Sequence, residues 1–367
     1  MAFSFGFAGD DIDIDDSDIN DTQDAFVPTN TSGSLPELVK PCKHSLDEWL
    51  SILPSQIFYN QLPINGTPIV IARREIIDIR TQLMAEDTAD HENEELIAGL
   101  EEGDLKPNFY EGGFKTWECS LDLAKFVTNE HTIIESLDDS QTNAHIIELG
   151  SGTAVPTLTL FAHLLNKTEP LEGAVPQRKV IFTCADYNDS VLRLVTLPNL
   201  LLTWNHIRQQ SNTVVEDQEP APVQPEEELD ITPELVEAFK NDLTRRGVVL
   251  NFVSGAWSPE FVDLVFSACE TDDFKTLLLA SETIYSPASL KPFSETLLEL
   301  LRRSTTVSVK SRAMIAAKKV YFGVGGGVDE FLAVLNEVSA SELQVEQKVN
   351  IESEGVGRVI LEVTSAN

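Results

Sequence analysis

The sequence predicts a doubly wound, Rossmann-like α/β domain that ends in an antiparallel hairpin. The first observation is an alternation, from about residue 115 onward, of short apolar runs with segments whose apolar residues have helical spacing. Buried apolar strands that alternate with helices are typical of a parallel sheet covered on both faces. The second observation is a pair of β-rich runs at the end of the chain, joined by a glycine-containing turn. Five parallel strands and this hairpin give a sheet of seven strands.

The predicted elements follow one another in a regular order. The parallel strands are expected at residues 144–150, 179–187, 248–257, 276–285 and 312–322. The helices are expected at residues 157–165, 191–205, 233–246, 288–303 and 329–340, and the hairpin at residues 343–352 and 357–365. Pro198 is expected to interrupt the second helix. Thr232 before Pro233, with Gly247 after the last turn, is typical of the two ends of a helix.

The segments that precede the main domain differ from it in composition. Residues 1–34 contain eight aspartates between Asp10 and Asp24 and no Lys or Arg, so we predict a disordered acidic tail. Its start, FSFGF, is either a docking peptide or a segment that folds back onto the domain. Residues 35–112 are expected to form an N-terminal helical extension.

The main domain is assigned to residues 113–367, and helices of the extension are expected at residues 72–86 and 94–105. Within the domain, residues 207–231 are acidic and Pro-rich. We predict that this stretch is a disordered insertion, because its composition does not support a packed core.

The charge of the chain limits its partners. Lys and Arg number 26 and Asp and Glu number 60, which gives a formal net charge of -34. A field of this sign repels nucleic-acid phosphates and anionic membranes, so direct contact with nucleic acid or membrane is not expected. The charge either attracts a basic partner or only keeps the protein in solution.

The cysteines and the chain start favour a reducing compartment. Cys42, Cys119, Cys184 and Cys269 form no Cys-x-x-Cys pair and have no His at zinc-ligand spacing, so no metal is expected. The N-terminus lacks the basic region of a signal peptide, and no apolar run approaches the roughly 20 residues that span a bilayer. A cytoplasmic and nuclear protein, present as a monomer, is expected.

The first parallel strand ends in a glycine loop. Its sequence is Glu148-Leu149-Gly150-Ser151-Gly152, in which two glycines let the backbone approach a ligand that faces the next helix. A dinucleotide fingerprint requires a third glycine, and here the chain continues with Val155-Pro156. This difference disfavours a pyrophosphate cofactor, and with it a nicotinamide reductase.

The ends of the next strands carry further candidate ligands. The second strand ends in Asp186, Tyr187 and Asn188, and the Asp186 carboxylate is expected either to bind a ribose diol or to cap the next helix. The third ends in Gly255-Ala256-Trp257, which fits an adenine slot or a core tryptophan equally well. The fourth ends in the sequence Ser281-Glu282-Thr283-Ile284-Tyr285, where the reacting end of a ligand is expected.

These features favour S-adenosylmethionine over a dinucleotide, with Glu148 on the glycine loop facing its amino group. The segments EGGFKTWECSLDL, IIELGSGTAVP, CADYNDSVLRLVTLPN, SGAW, ASETIYSP and KKVYFGVGGGV together resemble a known family. It is the seven-β-strand histidine protein methyltransferase family, which modifies a large-subunit ribosomal protein. The resemblance covers roughly residues 105–367 and the FSFGF start, apart from the insertions.

The resemblance implies an S-adenosylmethionine-dependent enzyme with a basic ribosomal protein as its substrate. It also implies that Trp117, Glu118, Cys119 and Ser120 form part of the cofactor wall at a helix N-terminus, where backbone N–H groups bind the methionine carboxylate. The alternative role for Cys119 is a nucleophile, but no His lies near it in the sequence.

A neutral imidazole has a free lone pair and a pKa near 6.5, so little acid–base catalysis is needed for its methylation. Glu282 is the candidate that accepts the second ring N–H and stabilises the cation, and Tyr285 is expected to shape the pocket. Alternatively, Glu282 supports the SGAW loop. Two other functions remain open, namely a lysine methyltransferase of the same fold and a chaperone-like binding module for ribosome assembly.

Overall fold

The computed structural model describes residues 39–86, 94–101, 112–167, 176, 178–212, 227–269, 274–305, 311–322, 325–352 and 355–366. Its strands are β1 Cys42–His44, β2 Gln56–Pro63, β3 Val70–Arg74, β4 Asn143–Leu149, β5 Val180–Asp186, β6 Glu227–Asp230, β7 Val248–Ser254, β8 Phe274–Ser281, β9 Arg312–Lys318, β10 Leu343–Ile351 and β11 Arg358–Ser365. Its α-helices are α1 Leu46–Ser51, α2 Ile76–Glu86, α3 Glu94–Glu101, α4 Glu118–Asn129, α5 His131–Asp138, α6 Val155–Lys167, α7 Asp189–Val191, α8 Leu197–Asn212, α9 Pro233–Arg246, α10 Pro259–Phe266, α11 Pro287–Ser304 and α12 Val328–Ser339. None of these described helices is long and apolar enough to cross a membrane.

The main sheet has the order β1-β7-β5-β4-β8-β9-β11-β10. Strands β7, β5, β4, β8 and β9 are parallel, and β11 pairs antiparallel with both β9 and β10. The predicted doubly wound sheet with a C-terminal antiparallel hairpin is therefore confirmed. An eighth strand, β1, pairs antiparallel with β7 and was not predicted, because three residues carry too little pattern. The chain leaves β4 toward β5 on one side and returns to β8 on the other, which makes β4 the topological switch point.

Helices cover both faces of the sheet, as the continuous apolar strands require. On β4, Ile146 belongs to a core cluster that includes Phe161 of α6 and Phe239 of α9. Its neighbour Ile147 points to the opposite face and joins a second cluster with Phe293 of α11. Because successive strand residues alternate between faces, both faces of this strand are buried in apolar cores.

The N-terminal extension is not purely helical, which corrects the prediction. Besides α1, α2 and α3 it contains β2 and β3, which form a separate three-stranded sheet with β6. Residues 72–74, predicted as the start of a helix, lie in β3, and the helix begins at Ile76. Residues 1–34 lie outside the described residues.

The insertion predicted at 207–231 is ordered at both ends. Helix α8 continues to Asn212, and Glu227–Asp230 forms β6 against β2. Residues 213–226 lie outside the described part of the chain. The acidic strand pairs because β2 supplies donors: the Tyr59 hydroxyl donates to Glu227, and the Gln56 amide donates to Asp230 at 3.2 Å. An acidic composition is thus compatible with a strand when its neighbour satisfies the carboxylates.

The interruption expected at Pro198 is a π-helical turn, Leu192–Thr196, between α7 and α8. Proline has no N–H, so the carbonyl four residues earlier, that of Leu194, receives no helical hydrogen bond from it. The buried Arg74 guanidinium donates to this carbonyl at 2.9 Å. The N-terminal extension therefore satisfies the backbone group that the proline leaves open.

Gly247→Ala is expected to lower the free energy of unfolding by roughly 2–4 kcal/mol. Gly247 ends α9 with a φ of 67°, and an added Cβ would lie 2.3 Å from the Arg178 carbonyl oxygen. Gly355→Ala is the matched control, because Gly355 also has a positive φ, of 90°, but has no atom within 4 Å of the added Cβ. Urea unfolding of both variants measures the difference. Equal losses would show that the close approach to Arg178 contributes nothing.

Candidate active site

The loops at the carboxyl ends of β4, β5, β7 and β8 meet at one edge of the sheet. The Gly152 N–H donates to Asp186 Oδ2 at 3.0 Å. The Gly255 N–H donates to the Asp186 carbonyl oxygen at 3.0 Å. An added Cβ on Gly150 would lie 2.7 Å from the Thr283 methyl carbon. The structure thus brings together the four strand ends that the sequence marked as candidates.

The glycine loop after β4 requires both of its glycines. Gly150 and Gly152 have φ values of 64° and 50°, in the left-handed region that favours glycine. An added Cβ on Gly152 would lie 3.2 Å from the Gly113 carbonyl oxygen, so the segment before α4 passes directly over the loop. The Ser151 hydroxyl on this loop is buried and has no protein hydrogen-bond partner within the described residues.

Two residues behind the loop hold it in place, and sequence reasoning missed both. The Thr196 hydroxyl donates to the Gly152 carbonyl at 2.7 Å. The Asn199 amide donates to the Thr153 carbonyl at 3.1 Å and accepts from the Arg74 N–H at 2.8 Å. Both residues lie in the segment CADYNDSVLRLVTLPN, but no pattern in that segment indicates these contacts. Through Asn199, strand β3 is linked to the candidate cofactor loop.

Asp186 bridges two loops with its carboxylate. It is 5% exposed, with Oδ2 bonded to the Gly152 N–H and Oδ1 accepting from the Asn188 N–H at 3.1 Å. The N-cap of α7 is Asn188, so the alternative that Asp186 caps this helix is wrong. Oδ1 also accepts from the Asn188 side-chain amide at 3.5 Å. The Asp186 carboxylate thus fixes the glycine loop at the strand end where a diol is expected, and Tyr187 lies half-buried beside it.

Glu148 lies in β4 and not on the loop, which corrects its predicted position. The side chain is fully buried, and Oε2 accepts from the Thr157 N–H of α6 at 2.9 Å. Burial, with a smaller contribution from the charge of Asp186, raises the pKa of Glu148 to about 8. A carboxyl group in this setting is protonated at neutral pH, and its carbonyl oxygen accepts a hydrogen bond from the first turn of α6.

The raised pKa of Glu148 predicts a pH-dependent stability. The folded protein keeps this proton up to about pH 8, whereas the unfolded chain releases it near its ordinary pKa of 4.5. Because the folded state binds more protons, the stability from this group is complete below pH 4.5 and is lost as pH rises to 8, by on the order of 5 kcal/mol. Glu148→Gln should remove this decline.

Urea unfolding of the wild type and Glu148→Gln at a series of pH values from 5 to 8.5 measures the effect. The variant should gain stability relative to the wild type as pH rises. Glu260→Gln, at a side chain that is 55% exposed, is the matched control and should run parallel to the wild type. Parallel curves for Glu148→Gln and the wild type would contradict the assignment.

The SGAW turn is covered by the start of the described chain. The Ala256 N–H donates to the Val39 carbonyl at 2.9 Å, and an added Cβ on Gly255 would lie 2.7 Å from Pro41. The Trp257 indole makes edge contacts with Phe261 and Phe293, at ring-centroid distances of 5.0 and 5.9 Å. These contacts favour the core interpretation of Trp257, and an adenine contact stays a prediction.

The N-terminus of α4 faces the end of β8. Trp117 is the N-cap residue in extended conformation, and Glu118, Cys119 and Ser120 form the first turn. The Cys119 N–H donates to Glu282 Oε1 at 3.4 Å, and the Ser120 hydroxyl donates to the Trp117 carbonyl at 2.6 Å. The first turn of α4 is therefore tied to a candidate catalytic residue.

Cys119 has the environment of an inert thiol. Its side chain is 0% exposed. Burial, followed by the charge of Glu282, raises the pKa of this thiol well above its ordinary value. Since the thiolate is the reactive form, these surroundings argue against Cys119 as a nucleophile.

Glu282 has an unusual backbone conformation directly after Ser281, the last residue of β8. Its φ is 58°, in the left-handed region that non-glycine residues seldom adopt, and its N–H donates to the Ala316 carbonyl at 3.0 Å. Its side chain is 10% exposed and contacts Cys119 of α4 and Lys318 of β9. These contacts lie away from the SGAW loop, which argues against the alternative that Glu282 supports that loop. Tyr285 lies 6.4 Å from the Tyr321 ring, centroid to centroid.

A small cavity of about 80 Å³ lies elsewhere, at the amino ends of the parallel strands. Ala144, Lys275 and Arg312 are among its lining residues, and each is the first or second residue of β4, β8 or β9. Ligands of open α/β sheets bind at the opposite, carboxyl ends. This cavity is therefore not part of the candidate site.

Known proteins resemble this chain over nearly its full length. It is 34% identical over 366 residues to histidine protein methyltransferase 1 of Saccharomyces cerevisiae, covering 93% of this chain and 92% of that protein. The chain belongs to the histidine protein methyltransferase 1 family. The Schizosaccharomyces pombe protein of the same name is 32% identical over 359 residues, covering 98% and 92%. No family model matches the chain. The predicted family and the prediction of an enzyme are confirmed.

Solved structures of other methyltransferases are more distant. Precorrin-6y C5,15-methyltransferase from Geobacter metallireducens is 12% identical and covers 69% of this chain and 95% of its own, with a TM-score of 0.30. Magnesium protoporphyrin IX methyltransferase from Synechocystis is 9% identical and covers 79% and 98%, also with a TM-score of 0.30. Similarity at this level does not describe the site, and the fold follows from the strand order itself.

Proposed function

We propose that this protein transfers a methyl group from S-adenosylmethionine to an imidazole nitrogen of a histidine in a basic protein of the large ribosomal subunit. The observation that carries the proposal is the hydrogen bond between the Gly152 N–H and the Asp186 carboxylate. It brings a glycine loop and a ribose-binding acid together at the switch point of the sheet, where ligands bind in this fold. Membership of the histidine protein methyltransferase 1 family supports histidine as the acceptor.

The residues present fit the cofactor. The Asp186 carboxylate lies against the glycine loop, at the strand end where a ribose diol is expected, and a carboxylate is a strong acceptor for diol hydroxyls. The hydroxyls of Ser151 and Thr283 are buried near this loop without a protein partner in the described chain. Buried polar groups of this kind require a ligand or water.

Each group has a distinct role in holding the cofactor. Asp186 binds the ribose diol, with Tyr187 and Asn188 beside it. The start of α4 presents the positive end of its helix dipole to the methionine carboxylate, while its Cys119 and Ser120 N–H groups donate to Glu282 and to the Trp117 carbonyl. The bound cofactor supplies an electrophilic methyl group on a sulfonium. Ser281, at the end of β8 and directly before Glu282, is assigned to the cofactor as well.

Glu282 is the residue assigned to the acceptor. Its carboxylate accepts the second N–H of the ring, which fixes the tautomer and leaves the other nitrogen free to attack. As the ring becomes cationic, the same carboxylate stabilises the new charge in a site that is largely shielded from water. Tyr285 shapes the wall of this pocket.

The charge supports a basic substrate. A formal net charge of -34 attracts a cationic ribosomal protein and speeds encounter with it. The cytoplasm and the nucleus, where ribosomal proteins are made and assembled, are the proposed compartments, and a monomer is the proposed state.

The test is methylation of large-subunit ribosomal proteins with an isotopically labelled methyl donor, followed by residue-level mass spectrometry. The proposal expects the label on a histidine imidazole. Label on lysine would support a lysine methyltransferase of this fold. No label, together with improved solubility of the ribosomal protein without the donor, would support a chaperone-like binding module.

A further inference from the structure

Lys318, the last residue of β9, lies in the candidate site with its ammonium between three groups. Nζ is 2.9 Å from Glu118 Oε2 and 3.9 Å from Glu282 Oε1. It also lies 5.2 Å from the centroid of the Trp117 ring, within the range of a cation–π contact. The Lys318 side chain is 18% exposed and that of Glu282 is 10% exposed, so solvent screens this contact less than a surface pair, whereas Glu118 is 61% exposed and its pair with Lys318 is more strongly screened. Lys318 therefore joins α4 to the residue that follows β8.

Tyr321, three residues further along, supports the same carboxylate. Its hydroxyl oxygen accepts from the Lys318 backbone N–H at 3.2 Å. Burial, followed by the charge of Glu282, raises the pKa of Tyr321, so the hydroxyl keeps its proton at neutral pH. A protonated hydroxyl against a carboxylate acts as a hydrogen-bond donor to it.

Glu282 is therefore held from several directions. The α4 backbone reaches it through the Cys119 N–H, and β9 and the segment after it supply the Lys318 ammonium and the Tyr321 hydroxyl. Its left-handed backbone costs on the order of 1 kcal/mol and persists only where the surroundings determine it. Strained residues of this kind cluster at functional sites.

The charges near Lys318 match those of the reaction. The carboxylates of Glu118 and Glu282 share the single ammonium of Lys318, which leaves one net negative charge in this group. One positive charge arrives on the acceptor ring when it is methylated. The Lys318 ammonium thus offsets the repulsion between the two carboxylates. The net negative charge of the group then stabilises the methylated, cationic ring.

We propose that Lys318 and Tyr321 are positioning residues for methyl transfer, which hold the Glu282 carboxylate in one orientation toward the acceptor imidazole. The inference rests on the proposed function. Neither residue is expected to touch the acceptor, and both act through Glu282.

A double-mutant cycle tests this inference. Single-turnover methylation rates are compared for the wild type, Lys318→Met, Glu282→Gln and the double variant. Lys318→Met should reduce the rate about 10-fold in the wild-type background, because coupling between residues in contact corresponds to roughly 2- to 150-fold. In the Glu282→Gln background the same change should reduce the rate by less than about 2-fold. Tyr321→Phe should follow the same pattern.

The matched control is Lys319→Met, since Lys319 pairs with exposed Glu352 at 3.4 Å and should change the rate in neither background. An equal loss from Lys318→Met in both backgrounds would mean a purely structural role and would overturn the inference. An unchanged rate for Lys318→Met would overturn it as well. Failure of the wild type to methylate histidine would instead contradict the proposed function, so the two failures are distinguishable.

Discussion

Asp186→Ala should weaken binding of S-adenosylmethionine by about 100-fold or more. One carboxylate performs two tasks: it is the proposed acceptor for the ribose diol, and it holds the Gly152 and Asn188 N–H groups at 3.0 and 3.1 Å. Each charge-assisted hydrogen bond is worth roughly 1.5–3 kcal/mol, and about 1.4 kcal/mol corresponds to a tenfold change in affinity. Loss of two such bonds to the ribose, with a loosened loop, gives the expected magnitude.

Titration calorimetry with S-adenosylmethionine and its demethylated product measures this effect. Asp189→Ala is the matched control, because Asp189 is an exposed carboxylate in the first turn of α7 and lies only three residues away. Thermal unfolding of both variants establishes that the fold persists. Wild-type affinity in folded Asp186→Ala would remove this residue from the cofactor site.

Glu282→Gln should lower the turnover number about 100-fold and change cofactor affinity by less than about 3-fold. Glutamine retains the size of the side chain and an oxygen that accepts the Cys119 N–H, but it carries no charge to stabilise a methylated ring. The substitution therefore removes stabilisation of the transition state and leaves cofactor binding nearly unchanged. A variant that lost affinity and turnover together would have a disturbed site instead.

The control for this substitution is Glu299→Gln on the outer face of α11, where the side chain is 45% exposed. Steady-state rates with the ribosomal substrate, together with calorimetry of the cofactor, separate the two effects. A Glu282→Gln enzyme with an unchanged rate would exclude Glu282 from the chemistry and would leave Tyr285 as the remaining catalytic candidate.

The parallel sheet was predictable because its strands are buried on both faces and are mostly apolar. The separate sheet was not, since the sequence of β2, QIFYNQLP, lacks a regular alternation of polar and apolar residues and its partner β6 is acidic and lies more than 160 residues away. Pairing of this kind depends on contacts distant in sequence, which local patterns do not encode. The same limitation hid the Arg74 contact with the Leu194 carbonyl.

The candidate site was predictable where strand ends alone define it. Asp186 and the glycine loop follow neighbouring parallel strands, so their proximity follows from the sheet. The prediction that Glu148 lies on the loop was wrong, because Glu148 is the second-last residue of β4 and its carboxylate accepts from the Thr157 N–H of α6. Lys318 and Tyr321 lie in the segment KKVYFGVGGGV, in which only the glycines carried an obvious signal.

A crystal structure of the protein with the demethylated cofactor tests the central claim most directly. The account predicts the ribose within hydrogen-bond distance of Asp186, the methionine carboxylate at the first turn of α4, and the sulfur facing Glu282 and Tyr285. Density for the ligand at the amino ends of the strands, or with its sulfur turned away from Glu282, would contradict it.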